Sequence, residues 1–303
     1  MILKSNFVGK YPIIGFVLLT FFISHVLNPI IVEFLRILFP DFSFDFAAAR
    51  LNERSLINQY GGSIAALLIT LRLYGVHGLK SMLRVSRITI QTAFCLLSGV
   101  LLPLIMILLS YYFAGVSLGA LLTILQHNFP FYVLIIAGFI LSAGLAEEFG
   151  WRGFLLPQLL KTQKPLTATF ITFFILSLWH FPALLAGWKN EPVLPWLILS
   201  LAIAIVHSWF FFKSKGNLLV VIIFHACFDA QYSFFSKFVT GVSHIPFHQG
   251  WTYIILYCLL SLVIMITTKG SLGYNKANIN LSTYFGEGEH GRPTQASMNN
   301  PFC

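Results

Sequence analysis

The chain has 303 residues, of which 57% are hydrophobic and only 10% charged. A soluble globular domain carries about 25% charged residues, so this composition cannot supply a water-facing surface and excludes a soluble enzyme or binding module. The net charge of +9 does not point to nucleic acid, because the basic residues form no single patch and instead follow the sidedness of the loops.

The apolar residues fall into runs long enough to span a hydrocarbon core of about 30 Å. In chain order the expected spans are 11–38, 60–76, 89–113, 129–147, 166–187, 194–212, 218–236 and 250–267. Together they predict an all-α, polytopic membrane protein with about eight transmembrane helices in a single bundle. The first run follows Lys4 and Lys10, as a signal peptide would. It lacks a short apolar region and a small-residue cleavage site, so it reads as a retained span. From Lys269 the composition turns to Asn, Gly, Ser and Glu without apolar periodicity, and 269–303 reads as a polar, disordered tail.

Loop charge orients the bundle. Arg72 at the end of the second span and Lys80, Arg84 and Arg87 after it have no acid among them, which predicts a cytoplasmic loop. Alternation then places both termini in the cytoplasm, and fourteen of the 19 Lys and Arg residues fall on that side. The stretch 114–130 has no Lys or Arg, as expected of an outer loop. Cys95, Cys227, Cys258 and Cys303 share no C-x-x-C spacing, so neither a disulfide framework nor thiolate metal ligation is expected. With Cys303 last, the chain does not end in a C-a-a-X box and is not expected to be a prenyl acceptor itself.

Ionisable side chains within spans cost about 2.5–3.5 kcal/mol each on insertion scales and are functional candidates by default. Glu147 and Glu148 end the fourth expected span, in the run Ala146-Glu147-Glu148-Phe149-Gly150-Trp151-Arg152. Glu148 and Arg152 are four apart and share a helical face, so they can pair. Glu147 is rotated about 100° from Glu148 and has no cation at helical spacing. One carboxylate thus reads as structural and the other as a candidate base. The bland alternative is a charged helix end at the interface.

His180 lies within the fifth span, where a lone histidine on an aromatic-rich helix is more often packed than catalytic. His225 and Asp229, four apart in the seventh span, share a face. There the carboxylate can fix the histidine's tautomer, or both can hold a metal. His25 and His207 read as packing or interhelical hydrogen-bonding residues, with nothing acidic near His207 in the sequence. Gly115-Val116-Ser117-Leu118-Gly119 matches the G-x-S-x-G elbow in letters. That elbow needs a strand before it and a helix after it, and here it follows a transmembrane run.

In order, Glu147-Glu148-x-x-x-Arg152, His180 and His225-x-x-x-Asp229 resemble the CAAX protease and bacteriocin-processing family of intramembrane peptidases, which includes the Ras-converting CAAX proteases. The resemblance covers about residues 130–240. It divides the chain into N-terminal helices and loops (1–128), a peptidase core (129–240), a last span (241–268) and the tail (269–303). Two departures stand out: Leu176 where the family usually has Phe, and Asp229 where many members have Asn.

The resemblance implies that Glu147 and His225 activate a water, that Glu148 and Arg152 support the site, and that His180 and Asp229 polarise the scissile carbonyl or orient the histidines. It leaves the cofactor open between none and a divalent metal such as zinc, for which His180, His225, Asp229 and Glu147 are the candidate ligands. The implied partners are the lipid bilayer and a membrane-associated peptide or protein substrate, prenylated or of bacteriocin type, with no nucleic acid. The implied location is the cell membrane.

A transporter or scaffold using the same buried charges as a proton relay or network is the alternative from another class. Inverted repeats would favour it, and none is evident. A family member that has lost catalysis is a further alternative, against which the intact Glu147, His180 and His225 argue.

Overall fold

Helices long and apolar enough to cross a membrane account for most of the chain, because such a chain must satisfy its backbone hydrogen bonds internally. The structure is a computed structural model and describes residues 7–39, 56–83, 89–185, 192–239, 250–277, 279 and 281–285. The expected charges Lys4, Arg50, Arg54, Arg84, Arg87 and Lys189, and the tail after 285, lie outside the described residues.

Among the described residues there is no strand. The long apolar helices are α1 (Pro12–Leu38), α2 (Ile57–Met82), α3 (Ile90–Phe113), α5 (Phe129–Leu159), α6 (Pro165–Leu185), α7 (Val193–Lys213) and α8 (Leu218–Phe238). Two shorter apolar helices, α4 (Leu118–His127) and α9 (Trp251–Thr267), complete the bundle. The eighth expected span is α9, whose 17 residues stand at the lower limit for crossing a bilayer. Helix α4 occupies the stretch expected to be an outer loop. Its Ser117 caps the helix, accepting a hydrogen bond from the Ala120 amide at 3.2 Å, so the serine of the G-x-S-x-G letters is a capping residue.

Two helices depart from the expected spans in ways that matter. Helix α2 is broken at Gly75, whose φ of 65° and ψ of −164° suit glycine alone. Helix α5 does not stop at 147 but runs on to Leu159, so the two glutamates lie inside it and not at an exposed end. Within α5, π-helical turns at Ile140–Gly144 and Trp151–Leu155 bracket a regular segment, Leu145–Gly150, that carries both glutamates. Such π-bulges re-aim side chains and occur frequently at functional sites.

Small residues bring α5 against its neighbours. A Cβ on Gly144 would sit 2.7 Å from the carbonyl oxygen of Ile222 on α8, and one on Gly150 would sit 2.7 Å from the carbonyl carbon of Gly62 on α2. Close backbone approach of this kind drives helix association in lipid. Ser63 adds a hydrogen bond from α2 to the Ala146 carbonyl at 2.6 Å. The glutamates are thereby clamped between α2 and α8. Helices α7 and α8 are the most enclosed, with 56% and 67% of their apolar windows buried, whereas α3 and α5 present most of theirs outward.

The segment after Lys269, expected to be disordered, instead packs on the bundle as far as residue 285. Leu272, Ile279 and Phe285 are buried, and α10 (Leu281–Tyr284) forms its last turn of helix. Phe285 stacks on Tyr74 at 4.9 Å between ring centres. Tyr74 also receives hydrogen bonds on its hydroxyl oxygen from Gln158 and Lys161 at 2.8 and 3.2 Å. Apolar side chains spaced through this polar segment supply the burial that its composition concealed.

Candidate active site

The polar side chains that insertion makes expensive converge on one place in the middle of the bundle. Glu148 is its hub and is wholly buried. Its Oε1 accepts hydrogen bonds from Arg152 Nη1 at 2.9 Å and from His225 Nδ1 at 2.7 Å. The first is the ion pair expected from the i, i+4 spacing. The second joins α5 to α8, and it makes His225 the donor, because a carboxylate already paired with Arg152 can only accept. The far nitrogen of His225, Nε2, stands 3.5 Å from Asp229 Oδ2, so the histidine lies between two carboxylates.

The remaining candidates surround a cavity of about 100 Å3, room for several waters. Glu147, Arg152, His180, His225 and Asp229 all line it. Glu147 therefore faces the cavity, while Glu148 holds the wall behind it together. His180 enters from α6 between two indoles, its ring 4.7 Å from Trp179 and 5.4 Å from Trp196. Leu176, one turn earlier on α6, also lines the cavity. The departure from Phe at this position therefore changes the shape of the cavity wall.

His207, expected to pack or to hydrogen-bond between helices, has no acid near it in the sequence, yet its Nε2 stands 3.8 Å from Glu148 Oε1 on α5. Its Nδ1 lies 3.0 Å from the Ile203 carbonyl oxygen and must donate there, which leaves Nε2 as an acceptor. Its ring meets His225 edge-on at 5.1 Å. The acid that gives His207 its setting comes from another helix, so spacing could not reveal it. The available signal was the default that any mid-span ionisable residue is functional. His25 lies on α1 with its ring against Phe21 and Trp179, in keeping with a packing role.

Among the described residues, the group whose donor atoms lie within 4.8 Å of one another is Glu148, His207 and His225. It shares only His225 with the ligand set read from the sequence. Cys95, Cys227 and Cys258 are free thiols and are not members of this group.

Residues 128–231 match the family model described as Rce1-like, type II CAAX prenyl endopeptidase. Over this stretch the chain is similar to that family. The match opens at the start of α5 and closes just after Asp229, so every candidate catalytic residue lies inside it. No curated protein matches the chain. The match and the seven long apolar helices together indicate a membrane protein that is similar, over residues 128–231, to a membrane protease family.

Proposed function

We propose that the chain is an intramembrane endopeptidase that cleaves the C-terminal peptide of prenylated, membrane-associated substrates. The observation that carries the reading is the cavity. Side chains from α5, α6 and α8, far apart in sequence, meet there at the positions of the resemblance. Peptide hydrolysis needs a base for water, a stabiliser for the oxyanion and a proton donor for the leaving amine.

In this reading Glu147, on the cavity wall, takes the proton of the attacking water. His225 helps to hold that water and is itself fixed by the Glu148 hydrogen bond and the Asp229 carboxylate. Glu148 and Arg152 neutralise each other within α5, and the hydrogen bond from His225 to Glu148 ties α5 to α8. His180, steadied by Trp179 and Trp196, donates toward the scissile carbonyl, and the proton held by Glu147 passes to the leaving amine. The excess of Lys and Arg in one set of loops supports a cytoplasmic side for both termini and for the ends of α5 and α6 that meet at 160–164.

The test uses the full chain reconstituted in liposomes with farnesylated and unprenylated versions of one C-a-a-X peptide. Glu147→Gln and His225→Ala should each abolish cleavage of the farnesylated peptide while helicity is kept, with the melting temperature near wild type for Glu147→Gln and lowered for His225→Ala, which gives up its bond to Glu148. Retained cleavage in both variants would overturn the site, and equal cleavage of both peptides would overturn the substrate class. Proton-coupled flux without proteolysis would decide for the transporter alternative.

A further inference from the structure

Three observations around Glu148 fit no step of the hydrolysis just described. His207 Nε2 and Glu148 Oε2 are fully buried and make no hydrogen bond. Nε2 has only its lone pair to offer, so it faces Glu148 Oε1 as acceptor to acceptor at 3.8 Å. That contact is unfavourable unless a proton or a cation lies between the two groups. The charges point the same way. Glu147, Glu148 and Asp229 are three carboxylates, and Arg152 is the one Lys or Arg among the residues lining the cavity. With neutral imidazoles the cluster carries two negative charges in excess. Burying them in a membrane interior is costly.

We propose that Glu148, His207 and His225 form a binding site for a divalent cation of the zinc class, with Ile203, Asp229 and Arg152 as its outer supports. The donor set is one carboxylate and two imidazoles, the mixture zinc takes in sites with three protein ligands. A tetrahedral zinc with bonds of about 2.1 Å separates its donors by roughly 3.4 Å. The 2.7 Å and 3.8 Å separations at Glu148 Oε1 lie on either side of that value. Histidines that ligate metal donate their other ring nitrogen to a carbonyl or carboxylate. His207 already does so, to Ile203. His225 would ligate through Nδ1 and carry its proton on Nε2, where Asp229 Oδ2 stands to accept it. Arg152 remains hydrogen-bonded to the carboxylate.

The site deepens the peptidase reading and rests on it for its purpose, but its binding can be measured without any substrate. The full chain in detergent micelles is stripped with chelator and titrated with zinc and, separately, with cobalt(II). We expect about one zinc per chain, a tetrahedral cobalt absorption in the visible range, and two imidazole nitrogens in the X-ray absorption of the zinc form. His207→Ala and His207→Gln should weaken zinc binding by more than the roughly 10- to 100-fold expected for the outer-support change Asp229→Asn. His180→Ala should bind as wild type does. A wild-type chain without a cobalt spectrum, or a zinc form with fewer than two imidazoles, overturns the proposal without recourse to any variant. Equal binding in well-folded His207 variants, or loss of zinc in His180→Ala, overturns the ligand assignment. Cleavage of a farnesylated peptide by a chain that never binds zinc ends this proposal and leaves the peptidase reading standing. Zinc binding in a chain that cleaves nothing does the reverse.

Discussion

Helices α3 and α8 are built from similar apolar alphabets, yet α8 buries 67% of its apolar window and α3 only 28%. Helix α3 turns Ile90, Phe94, Leu97 and Leu101 outward, as a helix that meets lipid should. Helix α8 turns His225 into the polar centre and surrounds it with buried Phe224, Ala226, Cys227 and Phe228. In a membrane the apolar side chain is cheap everywhere and carries little information. The informative residues are the polar ones, because only a central helix can give them partners. The Rce1-like match falls on 128–231, the part of the chain where those residues collect, while α1 to α3 serve as scaffold against it.

Glu148→Ala should break that contrast most severely. It removes the partner of Arg152, which is 3% exposed, and leaves a guanidinium buried and unpaired, at a cost of about 3–5 kcal/mol. It also releases His225 Nδ1. The expected result is a large fall in melting temperature together with loss of cleavage. If stability survives, Arg152 reaches water and the centre is wetter than its burial implies.

Glu147→Gln sharpens the distinction between neighbouring carboxylates. Glutamine keeps the volume and cannot take a proton, so turnover should fall by about 10²- to 10⁴-fold with the melting temperature almost unchanged. The readout is the initial rate on the farnesylated peptide beside a thermal melt of the same preparation. A stability loss comparable to that of Glu148→Ala would mean that the two glutamates share one structural role.

Gly150→Ala tests whether the scaffold half positions the site or only accompanies it. The new methyl would lie 2.7 Å from Gly62, so α2 and α5 must separate. Overpacking of this kind costs about 1–3 kcal/mol, and the movement falls beside Glu147 and Glu148. Stability and turnover should decline together, measured by melting and by peptide cleavage. An unchanged rate would show that α2 does not set the position of the glutamates.

How much of this was legible in the sequence depends on which physical force was being read. Span existence follows from hydropathy, and all the long helices lie where the apolar runs are. The end of α5 was not legible, because Glu147, Glu148 and Arg152 look like an exposed terminus until His225 is seen to partner Glu148. The π turns leave no mark in residue type. Helix α4 lies in a stretch whose missing Lys and Arg argued only for sidedness. The Glu148–Arg152 pair is local, hence readable from spacing. His207 meets its acid only across helices, hence unreadable. The buried Leu272, Ile279 and Phe285 were masked by the polar residues around them, since three apolar side chains set no periodicity.

The smallest expected effect lies at the seam between the two regions. Ser63 on α2 donates to the Ala146 carbonyl at 2.6 Å, the residue immediately before Glu147. The irregular turns of α5 relax its internal hydrogen bonding, so a carbonyl there can accept a bond from outside the helix. Ser63→Ala removes one buried hydrogen bond, a loss of about 0.5–1.5 kcal/mol, and leaves Gly150 and Gly62 in contact. Melting temperature should drop slightly. Turnover should fall only if this bond, and not the glycine contact, sets the rotation of α5 that turns Glu147 into the cavity. Comparing the rate loss per unit of stability lost in Ser63→Ala with that in Gly150→Ala separates the two. A larger ratio for Ser63→Ala assigns the aim of Glu147 to the hydrogen bond, and a smaller one assigns it to backbone packing.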